Sequence, residues 1–62
     1  MTEADGRAQA RNLFDRHTRR AYLRAELNRS LDVAERDRIG FNPYRLGYLS
    51  ELVLLIAEAD LP

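Results

Sequence analysis

The apolar residues of this chain recur at helical spacing, and no stretch alternates in the manner of a strand. Projected at about 100° per residue, Ala10, Leu13, Phe14, His17 and Ala21 gather on one side of a predicted first helix. Leu23, Leu27, Leu31 and Ala34 form a second stripe, displaced from the first by on the order of 100°. One straight helix cannot bury both stripes against one flat partner. It either breaks near Asn28 to Ser30 or meets different neighbours along its length.

Punctuation supports this reading. Thr2-Glu3-Ala4-Asp5 resembles a capping box with aspartate in the place of glutamate, so a helix starts there. Residues 7–29 are rich in Ala, Arg, Leu and Glu, which favour helix, although Gly6 weakens the first turn. Asn28, Ser30 and Asp32 compete with helix through local hydrogen bonds, and Asp32-Val33-Ala34-Glu35 reads as a second capping box. Gly40 is placed to stop the short helix that follows. In Phe41-Asn42-Pro43, Asn42 suits an N-cap and Pro43 the first helical position, while Phe41 and Leu46 can form a hydrophobic staple.

From Pro43 to about Ala59 the apolar residues run around most of the helix circumference. Only a narrow polar strip of Gly47, Ser50, Glu51 and Glu58 interrupts them. Two short helices of the same chain can cover one broad side of such a helix and little more. The remainder would be a contiguous apolar patch of a kind that monomers rarely expose.

The pattern therefore predicts an all-α fold: a small helical module of two longer helices with a short intervening helix, spanning about 3–29, 32–39 and 43–60, completed by homodimerisation. Residues 1–62 read as one domain. The expected self-contact is Leu49, Leu52, Val53 and Ile56 in a twofold arrangement. A competing reading makes the last helix the centre of a three-helix monomeric core, with Tyr44 and Tyr48 at its rim.

Size strengthens the case for association. A chain of 62 residues is marginal as a lone domain and usually gains support from disulfides, a metal or oligomerisation. Cysteine is absent and there is one histidine, so neither a disulfide nor a structural zinc site is available from these residues. No secretory signal pattern and no apolar run long enough to span a bilayer are present, which reads as a cytoplasmic protein without a membrane role.

The net charge is zero but unevenly spread. Residues 6–29 carry seven arginines against Asp15 and Glu26, a surplus of five, and the rest of the chain carries the opposite surplus. All ten basic residues are arginine. Arg16, Arg19, Arg20, Arg24 and Arg29 form the densest cluster, and Arg16, Arg19, Arg20 and Arg24 are the expected partner-binding residues, with charge steering an acidic protein partner. The alternative is a small nucleic-acid-binding regulator using the Arg16–Arg29 segment, with Tyr22 available for stacking. A near-neutral pI of about 6.6 argues against that alternative.

No catalytic constellation is legible. His17 stands alone on a helix face, the serines lack a nucleophile-elbow context, and the glycines are isolated. The expectation is a non-enzymatic adaptor, docking domain or inhibitor that needs no cofactor.

Overall fold

The computed structural model describes residues 1–36 and 42–60. Among these the protein is all-helical: α1 spans Glu3–Leu13, α2 Arg20–Arg36 and α3 Pro43–Ala59. The start of α1 is the expected capping box. The Thr2 hydroxyl accepts from the Asp5 amide at 3.2 Å, and the Thr2 amide donates to the Asp5 carboxylate at 2.9 Å. The start of α3 is also as expected, with the Asn42 side chain accepting from the Arg45 amide at 2.8 Å and Pro43 in the first turn.

The expected single helix over 3–29 is broken at Phe14 to Arg19, well before Asn28. Phe14 turns extended, with φ −139° and ψ 156°. The Asp15 carboxylate then accepts from the His17 amide at 2.7 Å, while the Asp15 amide donates to the Thr18 hydroxyl at 3.0 Å. These two side chains offer the backbone local partners that outcompete continuation of the helix.

Asn28 and Ser30, by contrast, sit inside α2, and the Ser30 hydroxyl donates back to Glu26 at 3.1 Å. No separate helix begins at Asp32. Residues 32–36 are the last turns of α2, and the Asp32 carboxylate pairs with Arg36 along the helix instead of capping Glu35. The Gly40 cap and the Phe41 half of the staple lie outside the described residues.

Helix α3 is the centre. Both α1 and α2 pack on it, and among the described residues they do not pack on each other. Glu3 lies against Gly47, Arg7 against Glu51 and Arg11 against Glu58, so α1 runs parallel to α3. Arg20 pairs with Asp60 and Glu26 with Tyr48, so α2 runs antiparallel to it.

The core lies between α2 and α3, where Leu23, Leu49, Leu52 and Leu55 are buried and Phe14, Leu27, Ile56 and Ala59 pack around them. The whole measures 37 × 22 × 15 Å. Helices α1 and α2 leave Leu46, Val53 and Leu54 of α3 exposed.

Candidate functional site

The polarity of α3 is turned inside out. Its polar residues Gly47 and Glu51 are buried, and Glu58 is half-buried, on the side that receives α1. The approach of α1 is close enough to exclude side chains. A Cβ on Gly6 would stand 1.8 Å from the Tyr44 carbonyl oxygen, and one on Gly47 would stand 2.0 Å from the Glu3 carbonyl oxygen. Glycine is required at both places because the two backbones nearly touch, and fully buried Ala10 continues the same seam.

Charge closes that seam. Glu51 accepts from Arg7 at 3.1 Å and from Arg11 Nε at 2.5 Å, and Glu58 accepts from both Arg11 amino groups at 3.0 and 2.8 Å. The Arg11 guanidinium, with Arg7 behind it, holds the Glu51 carboxyl below the ordinary glutamate range, and Arg11 does the same to Glu58.

A second polar cluster joins α2 to α3. Glu26 accepts from Arg29 at 2.6 and 3.0 Å, from Ser30, and from the Tyr48 phenol at 2.9 Å. Arg29 lowers the Glu26 pKa, while burial and the bond to Glu26 push the Tyr48 phenol up to about 12.

The remaining side of α3 is open, and at its edge Val53 and Ile56 line a groove with Arg24, Leu27 and Asn28 of α2. Leu46 is 44% exposed, Val53 52% and Leu54 47%; Ala57 is exposed beside them and Ser50 partly so. Spaced at 46, 50, 53, 54 and 57, these residues form one contiguous strip without a charge. An apolar strip at the surface with carboxylates at the inner seam is the reverse of an ordinary surface helix.

Of the four residues expected to make the self-contact, Leu49 at 7% and Leu52 at 0% are instead enclosed by the chain's own core. They lie on the side of α3 that α2 covers, so no second copy can reach them while the chain is folded. Val53 is open and Ile56 is half-buried at the edge of the core. The open strip adds Leu46, Leu54 and Ala57, which the expected set lacked. Its signal was present in the sequence: Gly6, Arg7, Ala10 and Arg11 match Gly47, Glu51 and Glu58 in size and charge, which marks the polar side of α3 as the docked one.

The arginine cluster also moves. The arginines of the first helix that reach a partner, Arg7 and Arg11, are engaged with α3. Arg16 lies in the turn after α1, Arg19 just ahead of α2, and Arg20 and Arg24 on α2. Arg20 pairs with Asp60 at 2.7 Å. Among the described residues Arg16, Arg19 and Arg24 form no ion pair and stand exposed, at and near a helix start that carries no acidic residue in its first turn.

Among the described residues no group of three His, Cys, Asp or Glu side chains could hold a metal ion, and no helix is long and apolar enough to cross a membrane. His17 is exposed in the turn. Comparison with protein-family models, with curated proteins and with solved structures finds no match to this chain.

Proposed function

We propose that this chain is a non-enzymatic protein-interaction module that self-associates through the outward strip of α3 and offers Arg16, Arg19 and Arg24 to an acidic protein partner. The observation that carries the first half is the uncharged strip of Leu46, Val53, Leu54 and Ala57. The strips carry no charge of their own and can close on each other about a twofold axis, with Arg24 beside Val53 at the rim. The preference for self over another partner rests on size: a chain of 62 residues is marginal alone, and the strip is apolar surface that a second copy can cover.

The second half rests on the exposed arginines at the start of α2, whose charge adds to the positive end of that helix. Such a surface favours acidic partners and speeds their approach. The nucleic-acid reading uses the same residues, but Arg20 and Arg29 of that segment are already paired with Asp60 and Glu26.

Sedimentation equilibrium tests the self-association. Wild-type chain is expected to run as a dimer, and Val53→Glu as a folded monomer, because Val53 is outside the core and its replacement leaves the fold intact. A wild type that stays monomeric at high micromolar concentration removes this reading. For the arginines, an immobilised glutamate-rich peptide and a single-stranded oligonucleotide are compared as probes. Retention on the peptide that falls when Arg16, Arg19 and Arg24 become glutamine supports the acidic partner, whereas stronger retention on the oligonucleotide supports the alternative.

A further inference from the structure

Because α1 and α2 both lie on α3 without meeting, a cleft of about 300 Å³ remains between them, near the start of α3. That volume is at the lower end of the range for small-ligand sites. The apolar part of its lining is Leu13 from α1, Val33 from α2, and the rings of Tyr44 and Tyr48 from α3. Gln9, Ser30 and Asn42 supply neutral polar groups, and Arg29 and Arg45 supply two guanidinium groups. Among the described residues no carboxylate lines it.

The two arginines differ. The charge of Arg29 is already met by Glu26 at 2.6 Å. Arg45 forms no ion pair with a described residue, and its Nη1 is shut off from solvent without a hydrogen-bond acceptor. Arg45 lines the cleft with its charge unmet by any described carboxylate, and an anion held there can accept from its guanidinium.

We infer that the cleft between α1 and α2 binds a small carboxylate with a flat or branched apolar body, the carboxylate taken by Arg45 and the body held among Tyr44, Tyr48, Val33 and Leu13. The planar fork of arginine matches a carboxylate edge, and rotation about its terminal side-chain bonds turns that fork to a ligand in the cleft. Burial and its bond to Glu26 keep the Tyr48 phenol protonated, so it adds surface without charge. This site is distinct from the outward strip of α3 and does not depend on self-association.

The test is a chemical-shift titration of the full chain with sodium benzoate, and in parallel with neutral benzamide, each to about 10 mM, where a weak site of roughly millimolar affinity saturates. The expected result is saturable shifts at Ser30, Val33, Tyr44 and Tyr48 with Val53, Leu54 and Ala57 unmoved. Benzamide should bind roughly tenfold more weakly or worse, and Arg45→Met should abolish the response to benzoate. Arg45→Lys, which keeps the charge and loses the fork, should weaken it several-fold, and decides the matter if Arg45→Met does not fold. Absent shifts, equal binding of benzamide, or unchanged affinity in the folded Arg45 variants would overturn the proposal.

Discussion

Among single residues Glu51 does the most for the fold outside the leucine core. Its side chain is only 10% exposed and two guanidiniums converge on it. Removing the charge leaves Arg7 and Arg11 without their shared partner, so Glu51→Gln should lower stability at neutral pH by about 1–3 kcal/mol in urea unfolding. The pH dependence follows from the same geometry. Glu26, Glu51 and Glu58 all have folded pKa values below their ordinary ones, through Arg29 for the first and Arg11 for the other two. Their stabilisation is fully present above the unfolded glutamate value of about 4.3 and is lost as pH falls through the lower folded values. Urea midpoints should hold level from neutrality to about pH 5 and fall below about pH 4. Glu51→Gln should flatten that fall; a wild-type profile that stays level to strongly acid pH would contradict the assignment. The expected capping residues Thr2, Asn42 and Pro43 were legible because a cap depends only on neighbours within one helical turn. Glu51 was legible as polar, but its two partners are 40 and 44 residues away in sequence, and no local pattern joins them.

Among the elements, α1 and α2 are held to α3 by different forces. Helix α2 uses leucines, so Leu52→Ala should cost about 2–5 kcal/mol of global stability. Helix α1 buries only Gly6 and Ala10 and otherwise relies on close backbones and ion pairs. Gly47→Ala therefore places a methyl group against a backbone carbonyl that cannot yield, an overpacking cost of about 1–3 kcal/mol that falls on α1 alone. Hydrogen exchange is expected to show residues 3–13 opening at low free energy while α2 and α3 keep their protection. If α1 and α3 lost protection together in Gly47→Ala, the separate docking of α1 would be refuted. The distinction also explains where the sequence misled. The displaced apolar stripes show that one straight helix cannot bury both against one flat partner, yet the sequence still reads as a single helix over 3–29, which the structure divides into α1 and α2. Helix propensity then drew attention to Asn28 and Ser30, whereas the break belongs to Asp15 and Thr18, whose hydrogen bonds close a turn that propensity scales do not see.

At the scale of the whole molecule, the central helix α3 has three sides: one docked by charge, one buried by leucines and one open. The excess of apolar surface on α3 was legible from its composition, because two short helices cover one broad side of a helix that is apolar around most of its circumference and little more. Which residues remain uncovered was legible only in part: the match of Gly6, Arg7, Ala10 and Arg11 to Gly47, Glu51 and Glu58 marks the side that α1 takes, but how much of the rest α2 covers depends on the folded packing. Leu49 and Leu52 went to α2, and Val53 and Leu54 were left outside. The absence of cysteine permits a direct measurement of this division. Single cysteines placed at Leu52, Val53 and Leu54 are treated with a thiol reagent in the folded protein at concentrations low enough to favour the monomer. The account predicts that the cysteines at 53 and 54 react at nearly the rate of an unfolded control and form disulfide-linked dimers when concentrated and oxidised, while the one at 52 is protected by roughly the global stability of the fold. Rapid reaction at 52 with protection at 53 and 54 would contradict it.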